Sequence, residues 1–376
     1  MGERIHFDAE SPTRFSTRQA LSEQLSNFPS VGVDDLGAYD TIIDVRSPAE
    51  YALDHIPGAV SAPVLSDEER AQVGTLHKQA SAFDAKKVGA ALVATNIARH
   101  LTGKFHSQPK AWRPLVYCWR GGQRSGSMVE IFTRIGWKAA QLEGGYRAYR
   151  SHVRARLDAL PAGLDFHVVC GVTGSGKTRL LRSLAGAGAQ VLDLEEIARH
   201  RGSVLGSVPG EAQPSQKLFE SLLCRALAGF SPDHPVFVEA ESKKIGAVQV
   251  PEVLMDRMRA SPCVRVEIDL TLRVVLLKEE YAHFLADSDA LGVQLDCLAG
   301  LHGKERIAEW KRLASSGAWD TLVARLLSEH YDPAYLSGMG RNYQCYTHAG
   351  IVRIRDLGAD FDAAARETIR LTEGRY

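Results

Sequence analysis

Residues 165–181 read DFHVVCGVTGSGKTRLL, and this stretch decides the fold of more than half the chain. A short apolar run ends at Cys170, a glycine-rich loop follows, and a helical pattern continues through T-R-L-L-R-S-L. The loop, G-V-T-G-S-G-K-T at 171–178, fits G-x-x-x-x-G-K-[ST] in the context that the pattern requires, after a strand and at the start of a helix. Gly171, Gly174 and Gly176 permit the tight turn, and the backbone N–H groups through Thr173 and Ser175 wrap phosphates. Lys177 neutralises phosphate charge, and the Thr178 hydroxyl can ligate Mg²⁺. A di- or triphosphate ligand is predicted; hydrolysis of it is not required by the motif.

Downstream, strands alternate with helices. AQVLDLE at 189–195, PVFVEAES at 235–242 and CVRVEIDL at 263–270 read as further strands. Residues from about 272 to 336 are mostly helical, and the tail from Ile351 suggests a strand and a closing helix. Asp193, at the end of the second strand, and Glu239 and Glu241, at the end of the third, are candidate metal or substrate contacts; each also fits a solvated strand-end charge.

Upstream, TIIDVR at 41–46 and RPLVYC at 113–118 read as short buried strands, separated by a helical stretch over roughly 66–102. A helix from near Ser125 ends at Gly136, and AAQLEGG supplies another strand. Strands alternating with helices imply a parallel α/β sheet here too. The expected organisation is an α/β domain over 1–150, a basic helical connector over 151–164 closed by Pro161 and Gly163, and a phosphate-loop α/β domain over 165–376 with a helical C-terminal part.

Cys118 stands where a buried strand meets a helix, in Y-C-W-R-G-G-Q-R-S-G. Gly121 and Gly122 let backbone N–H groups turn inward as an anion cradle, with Gln123 and Ser125 completing it. The helix start and the charges of Arg120 and Arg124 favour the thiolate, so a nucleophilic thiol is predicted. Cys118 to Arg124 also reads C-x5-R followed by Ser, a loop wide enough for a tetrahedral phosphate-like group. The other five cysteines lie in apolar or helical contexts that suit buried structural roles.

Composition sets the bounds. The 376 residues are 45% hydrophobic and 24% charged, which suits a globular chain of two or three domains. No apolar run is long enough to span a membrane, and MGERIHFDAESPTRF lacks the apolar core of a secretory signal. A cytoplasmic protein with reduced thiols is expected, and scattered cysteines without a CxxC pair argue against zinc. Net charge is zero, yet residues 97–182 hold 15 Lys and Arg against Glu130, Glu143, Asp158 and Asp165. That asymmetry predicts a local polyanion footprint.

D-V-R-S-P-A-E-Y at 44–51, H-I-P-G-A at 55–59, the Cys118 loop and L-E-G-G-Y at 142–146 resemble the rhodanese family over most of residues 36–150. In that family the loop cysteine carries sulfur or selenium. A rhodanese-like domain followed by a phosphate loop, with V-E-A-E-S-K-K-I-G at 238–246, resembles the tRNA 2-selenouridine synthase family over nearly the full length. The resemblance implies replacement of sulfur by selenium on wobble 2-thiouridine of tRNA. It implies selenophosphate as the selenium donor, with a selenophosphate synthetase as its source, and geranyl diphosphate as a second co-substrate. Alkylation would make sulfur a better leaving group before selenium attacks the same carbon. Two other readings fit parts of the pattern: a cysteine phosphatase fused to a kinase, and a non-catalytic sulfur-relay protein with a nucleotide switch.

Overall fold

A computed structural model describes residues 29–79 and 81–373. The N-terminal segment read above for a secretory signal lies outside them. The chain divides into two compact units, Met1–His152 and Val153–Tyr376. The helix Gly145–Ala159 runs across the division.

The first unit holds a five-stranded sheet, β1 (Ser30–Val31), β2 (Thr41–Asp44), β3 (Val60–Ser61), β4 (Pro114–Tyr117) and β5 (Ala140–Leu142), in the order β1-β5-β4-β2-β3. Every pairing is parallel. The central strand β4, PLVY, is buried throughout, as a parallel strand covered on both faces must be. The helix Gln123–Ile135 turns Met128, Val129 and Phe132 inward, one helical stripe, and stops at Gly136 in the left-handed conformation (φ 106°). Phe132 packs edge-on against Trp137 at 5.1 Å and against Phe105 at 5.4 Å between ring centroids. The stretch over 66–102 is not one helix but two, Asp67–Gln79 and Ala82–Thr102. The Ser81 hydroxyl explains the break, because it accepts from the N–H groups of Phe83 and Asp84 and starts the second helix.

The second unit holds β6 (Phe166–Cys170), β7 (Gln190–Leu192), β8 (Val236–Glu239), β11 (Cys263–Ile268) and β12 (Gly350–Ile354), in the parallel order β12-β11-β6-β8-β7. A small hairpin, β9 (Lys244–Ile245) and β10 (Val248–Gln249), stands apart. The helix Lys177–Gly186 buries Leu180, Leu181 and Leu184 in a cluster with Phe361, Ala364 and Ala365 of the closing helix Asp360–Glu373. Residues 270–342 fold as successive short helices around their own core of Trp310, Leu295, Leu298, Ile307, Leu322 and Leu326. Its last long helix is interrupted by a π-turn at Leu327–Tyr331, between Trp319–Leu326 and Asp332–Asn342. Among the described residues no helix is long and apolar enough to cross a membrane.

Candidate active site

Cys118 follows directly on β4, at the carboxyl end of the sheet, and is 3% exposed. The Gly122 N–H donates to its sulfur at 3.3 Å and the Ser125 hydroxyl at 3.2 Å. Ser125 is held in turn by the Gln141 side-chain amide, which donates to its oxygen at 2.6 Å and to the Gly122 carbonyl at 2.9 Å. Burial alone pushes the thiol up; the Ser125 and Gly122 donors, together with the Arg124 charge, outweigh it and hold the thiol below its ordinary value. Arg124 is shared, since its guanidinium pairs with Glu50 at 3.0 Å. Arg120 and Gln123 are exposed, and Arg120 has no ion pair among the described residues. Beside the thiol, Trp119 is 38% exposed and lies 5.2 Å from the Tyr146 ring.

The segment that starts at Gly144 clamps this loop. The Tyr146 N–H donates to the Cys118 carbonyl at 2.8 Å and the Arg147 N–H to that of Trp119 at 3.0 Å. Gly145 has φ 56°, and a Cβ there would strike the Cys118 carbonyl and come within 2.5 Å of the Gly121 nitrogen. Below the clamp, buried Arg46 pairs with Asp44 at 2.6 Å, donates to the Asp54 carbonyl and lies 3.9 Å from the centre of the Tyr146 ring. Tyr146 donates its hydroxyl proton to Asp54 at 2.7 Å. A buried charge needs such a set of partners to be tolerated.

Of the other thiols, Cys170, Cys224 and Cys263 are buried, but Cys297 is exposed and Cys345 partly so. That corrects the expectation of burial for all five. Cys297 sits at the C-cap of Ser288–Asp296, where the helix no longer presents its core face.

The phosphate loop leaves β6 at Gly171. Gly174 (φ 74°) and Gly176 (φ 81°) adopt the left-handed conformation that the turn demands, with Leu277 and Phe361 packed where side chains would otherwise stand. Lys177 donates to the Gly171 carbonyl at 2.9 Å, and Thr178 donates to Glu195 at 3.3 Å. Ser175 is fully buried. Partners distant in sequence fix the loop: buried Arg273 donates to the Thr173 carbonyl at 2.9 and 2.8 Å and pairs with Asp332, and the Gly171 N–H donates to the Tyr335 hydroxyl at 2.6 Å.

The candidate carboxylates gather beside it, each with its own task. Asp193 does not extend the strand but caps the helix Leu194–Ala198, accepting from the Glu196 N–H at 2.7 Å. Glu239 accepts from the Glu195 N–H at 2.9 Å, and its second oxygen is buried without a hydrogen bond among the described residues. Burial, reinforced by Asp193, Glu195 and Glu241, pushes Glu239 well up. Burial and the neighbouring Glu195 push Glu241 up to about 8. Among the described residues no group of three His, Cys, Asp or Glu side chains is placed to hold a metal ion. The Thr178 hydroxyl rests on Glu195, and Asp193 is engaged on a helix end.

Residues 32–152 match the family model of the rhodanese-like domain, and residues 164–295 match that of the tRNA 2-selenouridine synthase AAA domain. A tRNA 2-selenouridine synthase of Sulfurovum sp. is 31% identical over 378 aligned positions, which cover 92% of this chain and 98% of the relative. The chain belongs to the tRNA 2-selenouridine synthase family. Family members of the same description from Bdellovibrio bacteriovorus (31% identical, 80% of this chain and 89% of the relative) and Nitrosomonas europaea (37% identical, 67% of each) agree.

In this family member two cavities flank the phosphate loop within the second unit. One is small and apolar, lined by Thr173, Leu277, Tyr281, Phe284, Val323 and Tyr331 among others. The other is polar, begins at Gly171 and Val172, and runs across the carboxyl ends of β11 and β12. Sequence reading missed Glu195, Arg273, Asp332 and Tyr335. Only Glu195 had a local signal, its place just after the second strand; Tyr335 reaches Gly171 across 164 residues of chain.

Proposed function

We propose that this chain converts 2-thiouridine at the wobble position of tRNA to 2-selenouridine, with selenophosphate as selenium donor and an S-geranylated intermediate made from geranyl diphosphate. The observation that carries the reading is the Cys118 sulfur, buried yet supplied with two donors and held low, in a chain of this family. A thiol that is anionic at lower pH suits nucleophilic handling of a selenium donor. The Gly121–Ser125 loop receives the phosphate-like end of selenophosphate, and exposed Arg120 adds charge at its rim.

The phosphate loop serves the other donor. Its amides and Lys177 hold the diphosphate of geranyl diphosphate, where binding without nucleotide hydrolysis suffices. The apolar cavity beside Thr173 takes the prenyl chain. At about 60 Å³ it is tight, so the flanking side chains must rearrange to admit the whole prenyl chain. A selenophosphate synthetase would supply the selenium donor, and exposed Arg147, Arg154 and Arg156 would contribute salt-sensitive contacts to RNA.

The test is nucleoside mass analysis after incubating the protein with an anticodon stem-loop bearing 2-thiouridine, geranyl diphosphate and selenophosphate. 2-Selenouridine is expected from the wild type and not from Cys118→Ala. Full selenation by Cys118→Ala would remove the thiol from the reaction.

A further inference from the structure

The polar cavity of the second unit is unassigned by the two-donor reading. It lies in the crevice at the carboxyl ends of β6 and β11, where the strand order changes direction, the usual ligand position in an open parallel sheet. Its volume is about 550 Å³, within the range of about 300–1,000 Å³ typical of small-molecule sites. The phosphate loop is its shared wall with the apolar cavity: Gly171 and Val172 line this side and Thr173 the other. A prenyl diphosphate with its tail in the apolar cavity therefore places its reactive carbon, next to the diphosphate, between the two.

The lining chemistry is that of a nucleotide site. Tyr346 and the Arg265 guanidinium, 5.9 Å from that ring's centre, are planar groups of the kind on which bases stack. The Arg265 Nε is buried without an acceptor among the described residues. Glu267 is matched by Arg265 at 2.8 Å and Arg353 at 3.2 Å. Arg353 and Arg355 stand exposed at the rim, where phosphodiesters would pass. Asp269 is the acid left over: it is exposed at the N-cap of Leu270–Glu280, with no side-chain hydrogen bond or ion pair among the described residues.

Proton balance shows what a carboxylate there could do. Neutral 2-thiouridine carries a proton on N3. When its sulfur attacks the prenyl carbon, an S–C bond forms, the C–O bond breaks, and diphosphate leaves with the bonding pair. The N3 proton must then go, because the S-alkylated ring is neutral only without it.

We infer that the polar cavity seats the acceptor 2-thiouridine of the RNA and that Asp269 accepts its N3 proton during S-alkylation, an inference that rests on the geranyl-transfer reading above. A carboxylate on N3–H raises electron density at the sulfur as the bond forms, and no reagent beyond the two substrates is needed. Asp269→Asn keeps the size of the side chain and its capping ability, so the helix start is preserved.

The experiment is single-turnover geranylation by the full-length protein of a 2-thiouridine stem-loop, with geranyl diphosphate and ATP binding measured in parallel. Asp269→Asn is expected to slow geranylation roughly 100-fold, the scale of general-base catalysis, with unchanged geranyl diphosphate affinity. Its rate should climb with pH where the wild type levels off, as hydroxide replaces the carboxylate, and Asp269→Glu should recover part of the loss. Arg353→Ala with Arg355→Ala should raise KM for the stem-loop and leave kcat alone. Wild-type speed in Asp269→Asn, or an unchanged KM in the arginine pair, overturns the inference while the geranyl reading stands. Loss of ATP binding with geranylation intact assigns the cavity to a free nucleotide and also overturns it. No geranyl product from the wild type sinks the two-donor reading and this inference with it.

Discussion

The Ser125 hydroxyl points its proton at the Cys118 sulfur from 3.2 Å, and the Gln141 amide holds that hydroxyl in place from the other side at 2.6 Å. The thiol thus sits in a made-to-measure environment that survives its burial. Ser125→Ala is expected to move the midpoint of Cys118 alkylation to higher pH, because a donor that favours the anion is gone. Site-resolved mass spectrometry after pulsed iodoacetamide separates Cys118 from exposed Cys297. An unmoved midpoint would leave the backbone N–H groups of Ser125 and Gly122, with Arg124, as the sufficient causes.

Glu50 competes with the thiolate for Arg124. Burial pushes the Glu50 carboxyl up, but Arg124, Ser47 and Arg70 together hold it below the usual carboxylate range, so it is anionic at neutral pH. Glu50→Gln leaves Arg124 positive charge uncompensated, and the Cys118 midpoint should fall. Arg124→Ala should raise it. Shifts of the same sign in both variants would contradict this competition.

Lys177→Ala should weaken geranyl diphosphate binding about 10–100-fold, the range of a charge-assisted hydrogen bond of about 1.5–3 kcal/mol. Calorimetric titration reads the change directly.

Glu241, raised to about 8, is neutral below that pH and an anion above it, close to Lys177. Added negative charge opposes a diphosphate, so wild-type affinity should decline on the alkaline side of neutrality. Glu241→Gln cannot ionise and should flatten the decline. Equal pH slopes in the two proteins would show that this carboxyl is not felt at the phosphate loop.

Val323→Phe should fill the apolar cavity and suppress geranylation, while selenation of an already geranylated stem-loop proceeds. Parallel loss of both activities would place the prenyl chain elsewhere.

The parallel sheets and both loops were legible because each rests on local chemistry. Glycines at Gly174 and Gly176 mark a turn that other residues resist, and an apolar run buried on two faces, as in PLVY, reads as a central strand. The Ser81 break between the two helices was hidden, since one serine within a helical composition is a weak signal. What the helical region does for the phosphate loop was hidden too. Arg273, Asp332 and Tyr335 meet that loop only through tertiary packing, and periodicity carries no record of which distant turn a helix face will touch. Arg124 shows the same limit at the thiol: spacing places a cation near the sulfur, but not the acid that shares it.

The π-turn at Leu327–Tyr331 has a consequence for how this protein can evolve. It joins one helix that walls the apolar cavity to another that grips the phosphate loop, with Tyr331 on the first duty and Asp332 and Tyr335 on the second. Losing one residue there would rotate everything beyond it by about 100°, the angle per residue of an α-helix. If the proposed prenyl diphosphate is the ligand, its tail site and its head-group site are geared to one shaft. Under the proposed donor assignment, a lineage that drifts toward donors of another length could trade side chains along Trp319–Leu326, but it could not shorten the joint without displacing the residues that fix the phosphate loop.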